Sequence, residues 1–135
     1  MIRAQCANYC LHVNILNMAI AFARISYHSR SQGHSAVAGA AYRAGVELKD
    51  NRTGEVHSLK NRSDVIYSEI LLPEGAAIQF KDRETLWNAV EAAEMRRNSQ
   101  IAKDIVLALP RDLDLSLQID LARNFANSHF VRYGI

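Results

Sequence analysis

Ser29-Arg30-Ser31-Gln32-Gly33-His34-Ser35-Ala36-Val37-Ala38-Gly39-Ala40-Ala41-Tyr42-Arg43-Ala44-Gly45 runs from a polar, basic turn into a segment made almost wholly of small residues. Ser35 suits an N-cap, because its hydroxyl can accept a bond from an orphaned N–H of the first helical turn. Gly45 sits where a helix ends in the left-handed conformation that glycine reaches cheaply. Between them a helix is predicted in which only Val37 and Tyr42 have side chains large enough to fill a core. A helix so small can be approached closely by another backbone, of protein or of nucleic acid. Its two functional-looking projections are Tyr42 and Arg43. At 3.6 residues per turn, Tyr42 falls two turns beyond Ser35 on roughly the same face.

Outward from this stretch the chain alternates strand and helix patterns. Upstream, residues 19–27 predict a strand with Ile20, Phe22, Arg24 and Ser26 on one face. Downstream, residues 49–55 have hairpin or loop chemistry around Gly54, and residues 65–72 form a second strand stopped by Pro73. Asp82 is an N-cap candidate for a helix whose stripe is Leu86, Val90 and Ala93, flanked by Trp87 and Glu91 and closing at 96–98. Trp87 on that helix reads as core. Residues 101–109 make a third strand, ended by Pro110, with Asp104 on the face opposite Ile101. Asp114 or Ser116 opens a last helix with Leu117, Leu121, Phe125 and His129 in line. The class predicted is α+β: a mixed or antiparallel sheet covered by helices.

At 135 residues the chain has room for one domain. It is 49% apolar and 22% charged, ordinary for a globular protein. The net charge of +2 hides an asymmetry. Residues 1–46 hold four arginines and no acidic residue, so a positive first third carries the tyrosine. That suits a phosphate-bearing partner. The apolar run 10–16 is broken by His12 and Asn14 and is too short to be a signal peptide or a span, so no membrane insertion and a cytoplasmic location are expected. Cys6 and Cys10, the only cysteines, make neither a disulfide framework nor a complete zinc site and read as reduced thiols.

The pattern S-R-S-x-G-x-S-A-x-A-x-A-x-Y-R at 29–43 resembles the first motif of the MobA/MobL family of conjugative relaxases, including the relaxase domain of Ti-type TraA proteins. The resemblance continues through Arg52-Thr53-Gly54-Glu55-Val56-His57, Ser68-Glu69-Ile70-Leu71-Leu72-Pro73, Leu86-Trp87-Asn88-Ala89-Val90-Glu91 and Ala108-Leu109-Pro110. Five collinear matches are far more specific than a lone tyrosine on a small helix. The resemblance implies part of a relaxase fold of the HUH type over residues 18–135, with 1–17 an N-terminal extension, a misassigned start or a frayed tail. It implies a strand-specific tyrosine transesterase that nicks plasmid DNA at the transfer origin. Single-stranded DNA, relaxosome accessory proteins and type IV secretion proteins would be its partners. The family uses a divalent metal, Mg or Mn, on a histidine cluster that includes a His-x-His pair. No such pair occurs here, and the five histidines are scattered. By this alignment the chain stops before that motif, so the expectation is a truncated domain that binds no metal by itself and nicks poorly.

On this reading Tyr42 is the nucleophile, and Asp104 assists it or orients a metal-binding histidine. Asp104 reads equally as a strand aspartate paired with Lys103, Arg96 or Arg97. DNA phosphate would be held by Arg30 and Arg43, whose guanidinium groups match phosphate geometry, and by Ser29, Ser31, Ser35 and the Gly33 backbone near the helix start. Tyr27 and Tyr67 fall in strand patterns, Tyr133 lies near the chain end, and Tyr9 precedes the resemblance. Two other classes remain open: a non-catalytic single-stranded-DNA-binding remnant, and a small interaction module whose alanine helix packs on a partner.

Overall fold

The computed structural model describes residues 2–5, 9–13 and 23–134, the first two segments by their backbone alone. Its frame is a five-stranded sheet of β1 (Ile2–Gln5), β2 (Tyr9–Val13), β3 (Ala23–Ser29), β6 (Tyr67–Leu71) and β7 (Gln100–Leu107). The spatial order is β3-β7-β1-β2-β6, and every neighbouring pair is antiparallel. A separate two-stranded hairpin joins β4 (Glu47–Lys49) to β5 (Val56–Ser58). Two segments of the stretch 1–17, set apart above as an extension, thus lie inside the sheet. Of the strand expected at 19–27, residues 19–22 fall outside the described residues, and the rest belongs to β3.

Strand alternation sends successive side chains to opposite faces, and each face has its own helices. Ile70 and Ala102 face α1 (Ala36–Ala44) and α2 (Arg83–Ala93), together with Val37, Leu86, Trp87 and Val90. Ala36, Ala40 and Ala41 are buried there as well, so the small side chains of α1 let it lie close to its neighbours. Trp87 is fully buried, as its helix pattern required. The other face carries Ile105, Leu107 and Leu71, covered by α3 (Leu115–His129) and the single turn Val131–Tyr133. A polar clamp fixes α3 to β6: Arg123 donates to Glu69 at 2.9 Å and to the Tyr67 hydroxyl at 3.1 Å.

Helix starts follow the sequence closely. Ser35, Asp82 and Asp114 each accept a backbone N–H three residues on. Between the two candidates for α3, Asp114 is the cap, and Ser116 donates to it. The packed stripe of α3 differs from expectation. Leu117 and Leu121 stand 51% and 44% exposed, while Ile119, Ala122 and Ala126 face inward. Helix α2 also ends earlier, at Ala93. Arg30 reaches across and donates to the carbonyls of Glu91 and Glu94, supplying partners that the last turn lacks within the helix. Among the described residues no helix is long and apolar enough to cross a membrane.

Candidate active site

The N-terminus of α1 is fastened from three sides. Ser35 caps Ala38 N–H at 3.2 Å and donates its own proton to Asp50 Oδ2 at 3.0 Å. Glu91, buried on α2, accepts the Ala36 N–H and the Arg52 Nε–H, and pairs with Arg30 at 2.8 Å. Asp50 is fully buried and also accepts the N–H groups of Arg52 and Thr53. Burial pushes the Asp50 carboxyl up. The Ser35 hydroxyl, the Arg52 and Thr53 amides and the Arg52 charge outweigh that and hold it below the ordinary aspartate range.

The donors assigned above to DNA phosphate therefore divide. Ser35 and Arg30 are spent on internal partners. Ser31 and Gly33 lie exposed on the turn before α1, where Gly33 adopts φ 74°. Ser29, half-buried, is within 3.0 Å of the Ser31 hydroxyl. Arg43 is buried and turns inward: it donates to the Gly39 carbonyl at 2.8 Å and is paired with Asp104 Oδ2. His28 of β3 closes the group, with Nε2 2.8 Å from Asp104 Oδ2 and 2.9 Å from the Arg43 guanidinium. The His34 ring meets it edge-on at 5.0 Å. The partners of Asp104 are thus Arg43 and His28, not Lys103, Arg96 or Arg97. Phosphate contact by Arg43 or Arg30 would require breaking these pairs.

Tyr42 behaves differently. It stands at the far end of α1, seven residues and about 10 Å of helix rise beyond Ser35. The residue is 45% exposed. Adjacent helical residues project about 100° apart, which is how Arg43 can be buried while its neighbour faces outward. The Arg62 guanidinium lies over the Tyr42 ring, 4.0 Å from its centroid, and donates to the Tyr42 carbonyl at 3.3 Å. Asp64 grips the same guanidinium through two bonds, one of them 2.7 Å. Sequence reasoning missed Arg62, Asp64 and His28. The i, i+2 spacing of Arg62 and Asp64 was the only local hint, and nothing in it pointed to Tyr42.

Among the described residues no three His, Cys, Asp or Glu side chains come together as a metal site. His28 and Asp104 do approach each other, but the Arg43 guanidinium occupies the position beside them, and its charge opposes a cation there. These side chains do not fit a divalent metal. Tyr67 is half-buried in the α3 clamp. Tyr27 is 55% exposed on the edge strand β3, so it is a sheet residue but not a core one. Tyr9 lies in β2, and Tyr133 is exposed in the last turn.

The fold and site so far define an α+β domain with an open tyrosine on a helix fastened at its start. Comparison with known proteins supplies the family. The model described as "MobA/MobL family" matches residues 34–135, and the chain belongs to that family. It is 41% identical to mobilization protein MobL of Acidithiobacillus ferridurans over 79% of this chain and 28% of that one. It is 41% identical to probable mobilization protein MobA of Bifidobacterium longum, covering 70% and 17%. Against conjugal transfer protein TraA of Rhizobium radiobacter the identity is 33%, covering 87% and 12%. The chain thus spans under a third of the length of these relatives. A solved structure titled "Molecular Basis of Vancomycin Resistance Transfer in Staphylococcus aureus" superposes with a TM-score of 0.77 at 40% identity, covering 82% of this chain and 56% of that one.

Proposed function

We propose that this chain carries the DNA-nicking tyrosine of a conjugative relaxase and that Tyr42 is the nucleophile. The observation that supports it is the exposure of Tyr42 on a helix whose neighbouring arginine, Arg43, is turned inward. A ring sealed in the core would have ruled the reading out. In the proposed step the Tyr42 hydroxyl oxygen attacks the scissile phosphorus as the P–O3′ bond breaks. The phenolic proton passes to water, and the leaving 3′ oxygen takes one up. The products are a 5′-phosphotyrosyl adduct and a 3′ hydroxyl, and the retained ester lets the strand be rejoined without a nucleotide cofactor.

Within this reading Arg43, Asp104 and His28 are positioning residues, because Asp104 Oδ2, the Arg43 guanidinium and His28 Nε2 are engaged with one another. Ser29, Ser31 and the Gly33 backbone are assigned to phosphate contact on the exposed turn. Divalent metal is assigned no step on these residues and enters only as a variable of the assay. Single-stranded DNA at a transfer origin is the proposed substrate, transfer-complex proteins the proposed partners, and the cytoplasm the proposed location.

The test uses single-stranded oligonucleotides tiled across the DNA flanking the gene, with Mg or Mn ions or with chelator. The expected result is an adduct that survives SDS and maps to Tyr42, absent from Tyr42→Phe. An adduct that persists in the phenylalanine variant overturns the nucleophile assignment. Salt-sensitive DNA binding without any adduct favours a non-catalytic binding module. Failure to bind DNA leaves the interaction module.

A further inference from the structure

We propose that Arg62 is a positioning residue for Tyr42, holding the phenol ring in place and keeping a positive charge over it. The inference rests on the reading of Tyr42 as nucleophile. Arg62 lies twenty residues from Tyr42 in sequence and comes from the loop between β5 and β6.

Three features build the contact. Gly45, in the left-handed region at φ 65°, ends α1 and turns the chain away. A Cβ there would come within 3.2 Å of Arg62 Cβ and 3.6 Å of both the Arg62 carbonyl and Val65. Glycine at this position therefore lets the Arg62 loop close on the helix end. The Val65 N–H then bonds the Arg62 carbonyl at 3.3 Å, shaping the turn. Finally, Asp64 holds the guanidinium by two bonds, so its plane is set before any substrate arrives. Hydrogen bonding to Asp64 keeps the Arg62 proton bound more tightly than usual. Partial burial opposes this, while the charges of Asp64 and of the Tyr42 phenol group reinforce the tighter binding.

A guanidinium over a ring face is attracted to the π-system. The attraction strengthens if the ring gains phenolate charge, which spreads from the oxygen into the ring. A group that favours the charged form over the neutral one contributes to rate and not only to binding. Stacking also restricts the ring, and a misplacement of 1 Å can cost a reaction about a hundredfold. Arginine serves this purpose better than lysine, because its planar fork can stack and bind a carboxylate at the same time.

The structural alternative is that Arg62 only fastens the loop to the last carbonyls of α1. Two measurements on the full chain separate the roles. In the first, aromatic NMR of the DNA-free protein follows the Tyr42 ring in wild type, Arg62→Lys and Arg62→Met. Tyr42 ring resonances should move in Arg62→Met, and unchanged resonances overturn the stacking. In the second, single-turnover adduct formation is compared with oligonucleotide affinity. Arg62→Met should slow the adduct by about tenfold or more. Its affinity should change by less than about threefold, equivalent to well under one decade in Kd. Arg62→Lys should recover part of the rate, and Asp64→Asn, which loosens the guanidinium, should fall between.

Adduct formation by Arg62→Met at the wild-type rate overturns the proposal. So does a loss that runs in parallel through folding, affinity and rate without recovery in Arg62→Lys. Should the wild type itself form no adduct, the nucleophile reading fails alone, and the ring resonances still decide whether Arg62 holds Tyr42.

Discussion

Asp104 brings a charge to the underside of α1 and gives one oxygen, Oδ2, to both Arg43 and His28. Its other oxygen, Oδ1, has no hydrogen-bond partner among the described residues. The Arg43 Nε is in the same state. Two buried charges in contact gain little over an apolar pair of the same shape, but removing one strands the other. Asp104→Asn should therefore lower unfolding free energy by about 3 kcal/mol, because the Arg43 guanidinium stays buried without its carboxylate. Replacing both, as Arg43→Met with Asp104→Leu, should restore most of that loss, since neither charge is left alone. Urea denaturation of the two variants against wild type measures both values. Equal losses in the single and double variants would show that the pair is not coupled. From the sequence, Arg43 read as a phosphate ligand because it follows Tyr42 and its guanidinium matches phosphate geometry. In the structure Arg43 turns inward because one side of α1 is buried, and that burial depends on which strand the helix lies against.

At the scale of the element, α1 is a short helix held at its two ends by different parts of the chain. Its start is closed by Asp50 and Glu91, its end by Gly45 and the Arg62 loop. The helix itself was legible, because Ser35 and Gly45 are local signals that act through nearby backbone groups. The caps of α2 and α3 were legible for the same reason. The partners of those caps were not. Asp50 reaches Ser35 across fifteen residues and Glu91 reaches Ala36 across fifty-five, separations at which no periodicity carries information. The stripe of α3 misled for a related reason. Leu117, Leu121 and Phe125 keep helical spacing, but the sheet meets the adjacent row, where alanines allow close approach.

Gly45 gives this scale a test. Gly45 and Gly54 both adopt positive φ, near 65° and 76°, but only Gly45 has neighbours within reach of an added Cβ. Gly54→Ala should cost about 1 kcal/mol, the conformational strain alone. Gly45→Ala should cost about 2 kcal/mol, strain plus displacement of the Arg62 loop, and should also perturb the Tyr42 ring resonances. Thermal unfolding ranks the two. Equal losses would mean that the loop yields without resistance.

For the molecule as a whole, acid sensitivity follows from where its carboxylates sit. Asp50 is held below its ordinary range despite burial, and Asp82 and Asp114 are held there by the amides of Thr85 and Leu117 that they cap. A group whose folded value is depressed binds protons more weakly in the native state than in the unfolded chain. Its stabilisation is complete above the unfolded value, near pH 4 for aspartate, and is lost as pH falls through the folded value. Three such groups act together, one at the start of each helix. Asp50 has the widest reach, because it joins the β4–β5 hairpin to α1 and thereby to the core around Trp87. The melting temperature should be nearly flat between about pH 5 and 7 and fall progressively below about pH 4. Asp50→Asn keeps the acceptor for the Arg52 and Thr53 amides but loses the charge. It should start from a lower melting temperature at neutral pH and fall less steeply in acid. Circular dichroism melts of wild type and variant across that range check the slope, and parallel curves would show that Asp50 is not the carboxylate through which acid opens the fold.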